Sequence, residues 1–246
     1  MNKEEIFKTL EHYNFNKDQI LILSGASMVV NNIKETTNDI DIAVSKEYEK
    51  ELLKKYNCKL TKQFTNHKVY SIDNIIEFST NYYDFAYDIK NGFKFQKPKE
   101  ILKLKQNLNR DKDKKDMTLI KNHLILETSN SLTLAYLGDS IYEFYIRKHL
   151  IFKGISKVNE LQKQAINFVS AKSQSNYLDQ IINENLLTEE EINIVKRARN
   201  HKSHPSKTTD IITYKKSTGL EALIGYLYLK NNIERIEKII KYIVGD

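Results

Sequence analysis

The chain has 246 residues, 40% of them hydrophobic, 29% charged and 10% aromatic, which excludes wholesale disorder and suits one or two packed domains. Lys and Arg total 39 against 32 Asp and Glu, and the formal net charge of +7 favours a polyanionic partner. No apolar run approaches the roughly 20 residues of a membrane span, and the N-terminus lacks a secretory stretch, so a soluble cytoplasmic protein without a membrane partner is expected.

In chain order, helical segments near residues 3–13, 26–33 and 46–56 alternate with short apolar runs of β character. The runs are Gln19–Leu23, Asp39–Val44, His67–Ile72 and Ile75–Ser79. Ser24-Gly-Ala-Ser27 follows the first run and opens a helix, a placement that turns backbone N–H groups toward an anion. Period-2 alternation then puts Asp39 and Asp41 on one face of a strand, and Glu77 supplies a third carboxylate from a neighbouring one. A phosphate-cradling turn beside two or three acids is the arrangement of a two-metal nucleotidyl-transfer site. The alternative is a strand entered through a polar turn. From Lys99 to His123 the text is charged and helical, and Arg110–Asp116 reads as a solvated helix able to touch RNA.

Leu126–Ser131, crowded with Thr, Ser and Asn, is the expected connector, and its last residues can cap the helix that follows. Beyond it no strand pattern remains. Leu132–Ile151 is an apolar helical stretch interrupted by Gly138-Asp139 and Glu143, and in Ser217–Leu229 Glu221 sits alone as a charged residue in another apolar helix. A carboxylate among buried-type neighbours is costly unless it is paired, hydrogen-bonded or bound to a metal. Two facing helices would bring Asp139 and Glu221 together, with Glu143 one turn from Asp139, and converging carboxylates suit Mg²⁺. Pairing with helix termini, Arg147 or Arg235 explains the acids equally well from spacing alone. Thr188 and Glu191 form a capping box for a helix ending in Lys196, Arg197, Arg199 and Lys202, a cluster suited to phosphate contacts. The single cysteine, Cys58, excludes an intrachain disulfide, and the histidines show no paired spacing for zinc.

Four collinear motifs carry a family likeness: Leu134–Glu143, Phe168–Gln174, Lys196–Asn200 and Tyr214–Leu229. They closely resemble mini-ribonuclease III over residues 131–246. The resemblance implies an all-α ribonuclease III domain acting as a homodimer with Mg²⁺ on double-stranded RNA, usually precursor large-subunit ribosomal RNA. It implies Asp139 and Glu221 as the catalytic, metal-holding acids, activating water for in-line attack that leaves 5′-phosphate and 3′-hydroxyl ends. Lys196, Arg197, Arg199 and Lys202 would hold an A-form duplex by its phosphates. Ala135 and Thr218 stand where full-length members carry further acids, as in the mini-type, and Ala198 stands in place of an expected Gly.

Residues 1–125 are similar to the polymerase-β-type nucleotidyltransferase superfamily, on the Ser24–Ser27 turn, Asp39, Asp41, Glu77 and the charged segments Lys99–Lys105 and Arg110–Asp116. This implies metal at Asp39 and Asp41 and NTP contacts from Gly25, Ser27, Asp39, Asp41 and Glu77. The expected architecture is α+β and multidomain: an α/β nucleotidyltransferase-like domain over 1–125, then an all-α ribonuclease III domain over 131–246. The leading function is endoribonuclease. The alternatives are nucleotidyl transfer to RNA ends or to tRNA, and an RNA-binding scaffold with an inert N-terminal domain.

Overall fold

The computed structural model describes residues 1–81, 84–201 and 210–245, and divides into two compact units, Met1–Leu124 and Ile125–Asp246. The first holds seven strands: β1 (Ile20–Ile22), β2 (Ile40–Val44), β3 (Cys58–Gln63), β4 (Lys68–Ile72), β5 (Ile76–Ser79), β6 (Tyr87–Lys90) and β7 (Phe93–Gln96). They form one mixed sheet in the order β3-β4-β5-β2-β1-β7-β6. Strand β1 runs antiparallel to β2 and parallel to β7, and β2 runs parallel to β5. The central strands Ile20-Leu-Ile22 and Ile40-Asp-Ile-Ala-Val44 are buried throughout except at Asp41, as expected of strands covered on both faces.

The helices of this unit are α1 (Lys3–His12), α2 (Ser24–Val30), α3 (Lys46–Lys55) and α4 (Pro98–Leu108), and α5 (Lys114–Thr128) begins in it. Ile6, Leu10, Ile22, Ile42, Phe78 and Phe95 lie in the main core. A second cluster of Met28, Ile33, Ile101 and Ile120 seats α4 and α5 beside α2. The four strands expected from the sequence are present to within a residue or two at each end, while β3, β6 and β7 are additional. Helix α5 runs on to Thr128, so the expected connector is helical over Leu126–Thr128, and Leu126 packs on the core of the second unit.

The second unit is all-helical among its described residues: α6 (Ser131–Phe152), α7 (Val158–Val169), α8 (Ala171–Asn183), α9 (Glu189–Arg199), α10 (Ile211–Leu229) and α11 (Ile233–Val244). Asn130 caps α6 by accepting from the N–H groups of Leu132 and Thr133. Thr188 and Glu191 make the expected capping box on α9, with both reciprocal bonds present. Helix α10 is the centre of the unit, buried from Ser217 to Leu227 apart from Glu221 and packed against α6, α8 and α9. A helix that is apolar all round belongs in such a place.

Two glycines set how closely α6 and α10 cross. A Cβ on Gly138 would stand 1.8 Å from the Glu221 carbonyl oxygen, and one on Gly225 would stand 2.1 Å from the Leu134 carbonyl oxygen. Backbone meets backbone there, which no residue with a side chain allows.

Candidate functional site

The glycine crossing brings together the two acids singled out in the sequence. Asp139 follows Gly138 on α6 and is exposed, while Glu221 is half-buried on α10 with its own carbonyl against Gly138. Burial, and then the charge of Asp139, push the Glu221 carboxyl up to about 7. Asp139 is raised by burial and then by the charge of Glu143.

The arginines weighed as partners are engaged elsewhere. Arg147 binds Glu143 at 2.5 Å, one turn along α6, and Arg235 binds both carboxylate oxygens of Glu191 at 2.8 Å. Neither Asp139 nor Glu221 has an ion-pair partner among the described residues. Thr218 is buried and donates to the Tyr214 carbonyl, and Ala135 is buried, so neither position adds an acid to the pair, while Glu143 acts on Asp139 from one turn along α6. The fourth polar group is one that sequence reasoning missed. Gln174, 1% exposed on α8, partly opposes the rise in Glu221, yet its Nε2 closes no hydrogen bond among the described residues. Its signal lay in the sequence: Gln174, Leu178 and Ile181 fall on one face of α8, with the glutamine at an apolar position.

The basic cluster divides. Lys196 and Arg197, exposed on the last turn of α9, line a groove of about 610 Å³ with Asn130, Ser131, Asn193, Asn200 and His201. Arg199 does not line it, and its stem packs close to Gly219. Lys202 lies outside the described residues.

In the first unit, Asp39, Asp41, Glu77, Ser24 and Gly25 all line one cavity of about 530 Å³. The register of the parallel pair sets Asp41 beside Glu77. Burial, then the charges of Asp39 and Glu77, push Asp41 up to about 6, against a smaller pull from Lys62 and Lys105. The three acids do not close into a metal-sized group, and no set of three such ligands does so among the described residues. Glu77 is drawn aside to Lys62 at 2.9 Å.

Ser27 is a correction. It is fully buried and donates to the Gln96 carbonyl at 2.6 Å, so its hydroxyl does not reach the cavity. Gly25 stays at the rim, where a Cβ would stand 2.5 Å from the Thr37 hydroxyl oxygen.

The reading of Arg110–Asp116 as a solvated helix holds for Arg110, Asp111, Lys112, Lys114 and Lys115, which are exposed, and fails at Asp113, which is buried in the 3-10 turn ahead of α5. Asp113 and Lys105 are 3% and 5% exposed and bound at 2.6 Å, Arg110 binds Asp113 at 2.6 Å, and Asp116 binds Lys105 at 2.9 Å. Burial alone would raise Asp113, but its bonds to Arg110 and Lys105 hold it below the usual carboxylate range. Lys34, Lys62, Lys105, Arg110 and Lys112 thus line the cavity opposite its acids, and all but Lys112 are ion-paired with them.

Comparison with known proteins gives the second unit a family. The Ribonuclease III domain model matches residues 132–232. Mini-ribonuclease 3 of Streptococcus pneumoniae is 44% identical over 116 residues, covering 47% of this chain and 91% of that protein. Mini-ribonuclease 3 of Brevibacillus brevis is 51% identical over 114 residues, covering 46% of this chain and 84% of that protein. A crystal structure of a Fusobacterium nucleatum protein is 40% identical, covers 49% of this chain and 96% of that one, and superposes with a TM-score of 0.44.

Proposed function

Because the chain belongs to the mini-ribonuclease 3 family through its C-terminal half, we propose that it is an endoribonuclease hydrolysing double-stranded RNA with Asp139 and Glu221 as its catalytic acids. The observation that carries this reading is the crossing at Gly138 and Gly225, which sets Asp139 beside Glu221 with no ion-pair partner for either among the described residues. Such a pair fits a divalent cation. Its donors are hard oxygens, one acid is open to solvent, and their mutual repulsion falls when a positive charge is shared.

Asp139 and Glu221 would hold Mg²⁺, which when bound lowers the pKa of water and offsets charge developing on a phosphate. Asp139, at the surface, faces the incoming phosphodiester, and Glu221, behind it, fixes the depth at which the phosphate sits. Lys196 and Arg197 line a groove suited to duplex phosphates, so shape and backbone charge govern recognition. Arg199 and Lys202 are assigned to the same contact from the motif. Products with 5′-phosphate and 3′-hydroxyl ends, a homodimer cutting both strands, and precursor large-subunit ribosomal RNA as substrate complete the reading.

Cleavage of a long double-stranded RNA at low salt tests it. Wild type cuts with Mg²⁺, and Asp139→Asn lowers the rate by about three orders of magnitude, ~4 kcal/mol of barrier. Equal cutting by both proteins would sink the assignment.

A second activity is favoured by the cavity of the first unit, where Asp39, Asp41, Glu77, Ser24 and Gly25 face a ring of basic side chains. Acids on adjacent strands beside cations suit a nucleoside triphosphate, with Asp39 and Asp41 holding a cation and the lysines facing phosphates. The reading is nucleotidyl transfer to an RNA end by a nucleotidyltransferase-like fold. Labelled NTP enters an RNA acceptor with wild type and not with Asp39→Ala/Asp41→Ala; no incorporation by wild type with any RNA acceptor would count against it.

A further inference from the structure

Buried polar groups in folded proteins nearly always find partners, and one left bare costs about 1–3 kcal/mol, so each bare group calls for a reason. Gln174 is such a group. It is 1% exposed, and its Nε2 has no hydrogen-bond partner among the described residues. It occupies a core position of α8, in line with Leu178 and Ile181, where leucine or methionine would bring no polar cost. Helix α8 packs against α10, and the Gln174 amide already acts on Glu221 across that contact. A primary amide offers two donors, and a carboxylate offers only acceptors.

We propose that Gln174 is a positioning residue of the nuclease, donating from Nε2 to one carboxylate oxygen of Glu221 in the cation-loaded enzyme and leaving the other oxygen toward the cation. The inference rests on the reading of Asp139 and Glu221 as the catalytic pair. Catalytic hydrogen bonds are often long in the free protein and tighten in the working complex, which accounts for a buried donor left without a closed bond. The small size of the site raises the demand on this one contact. With alanine at 135 and threonine at 218, neither of these positions supplies a further acid to fix the orientation of Glu221.

The test uses the full chain in two measurements. Mn²⁺ binding without RNA is followed by loss of the free-ion electron paramagnetic resonance signal, and double-stranded RNA cleavage is followed at steady state. Gln174→Met, close to glutamine in volume, keeps the fold, which its melting curve checks. Outer-shell partners of metal ligands typically contribute about 10–100-fold, so Gln174→Met weakens Mn²⁺ binding and lowers kcat by about tenfold. KM for RNA stays unchanged, as a loss of packing alone would not require. Gln174→Glu, placing a second negative charge against Glu221, lowers kcat further.

Wild-type Mn²⁺ affinity and kcat in Gln174→Met would overturn the proposal. So would Gln174→Glu that binds Mn²⁺ more tightly and retains kcat, because residue 174 would then be a ligand. A wild type that binds Mn²⁺ but cuts no RNA overturns the nuclease reading instead, and the Mn²⁺ affinity of Gln174→Met still decides whether Gln174 positions Glu221.

Discussion

The two groups of acids differ in what the chain places around them. Asp139 and Glu221 meet where two helices touch backbone to backbone, and the nearby arginines are bound to Glu143 and Glu191. Asp39, Asp41 and Glu77 stand on and beside the central strands of a sheet, with Lys62 tied to Glu77 and Lys105 close enough to act on Asp41. The first pair has no ion-pair partner among the described residues, and its repulsion is relieved by a proton on Glu221 or, on the proposed reading, by a cation from outside. The second is partly neutralised from within, by cations that line the same cavity and are themselves paired with its acids. Both began as the same sequence signal, acids among apolar residues. Burial and a neighbouring acid raise Glu221 and Asp41 alike, and neighbours distant in sequence set how far each rise is opposed: by Gln174 in one, by Lys62 and Lys105 in the other.

The largest effect on this contrast is expected at Lys105. It is buried and binds both Asp113 and Asp116, so Lys105→Met leaves Asp113 buried with only Arg110 beside it. Removing one partner of a buried ion pair costs about 3–5 kcal/mol. Hydrogen exchange of the α4 and α5 amides should accelerate accordingly. Lys103→Met, which removes an exposed i,i+3 pair with Glu100, is expected to change stability by less than ~0.5 kcal/mol. Equal effects of the two substitutions would mean that burial does not organise the charges around the cavity.

Next in size is Gly138→Ala. Its Cβ would meet the Glu221 carbonyl oxygen at 1.8 Å, and backbone cannot swing aside as a side chain does. The helices must part, at about 1–3 kcal/mol for an overpacked contact. Because the same contact sets Asp139 beside Glu221, RNA cleavage should fall by more than the stability loss explains. Gly154→Ala, a site with positive φ and open space, serves as the comparison: it strains local backbone and leaves the crossing alone. Full cleavage by Gly138→Ala would separate the acids from the crossing.

How much of this was legible follows the same division. Asp139 and Glu221 could be picked out because each is an acid set in an apolar-periodic run, Asp139 with Glu143 one turn on and Glu221 alone, and the two halves could be told apart by the end of β-type alternation. Strand β3 could not, because its residues beyond Cys58 are exposed and its pairing comes through β4. The hairpin of β6 and β7 carried a signal that went unread: Asn91 and Gly92 take left-handed φ of 49° and 80°, the preference of an Asn-Gly turn. The Lys105 network was illegible for a different reason. Lys and Asp at helical spacing look solvated on any one helix, and they are buried here only because α4 and the start of α5 face each other. Ser27 failed in the reverse sense: its place in the turn was read correctly, but Gln96 on β7 takes its hydroxyl.

The subtlest effect concerns the proton on Glu221, and it tests the claim that the C-terminal pair lacks internal compensation. Its carboxyl is raised from an ordinary 4.5 to about 7, so between those values the folded protein holds a proton that the unfolded chain releases. The sign follows directly. Without a divalent cation, stability falls as pH rises through that window, and below it Glu221 contributes no slope. Glu221→Gln removes the slope and should stabilise the cation-free protein above pH ~7, by on the order of 2 kcal/mol. Opening free energies of the α10 amides, measured by hydrogen exchange at several pH values in a chelator, locate the effect on the helix that carries the residue. Mg²⁺ should narrow the gap by stabilising wild type and not Glu221→Gln, because a ligand stabilises only the state that binds it. Asp41→Asn should change a separate slope, ending near pH 6 in the amides of β2, because Asp41 is raised to about 6 with Lys62 and Lys105 opposing the rise. A wild-type slope in α10 that survives Glu221→Gln would show that the repulsion between Asp139 and Glu221 is already relieved within the protein, and the contrast between the two sites would fail at its electrostatic root.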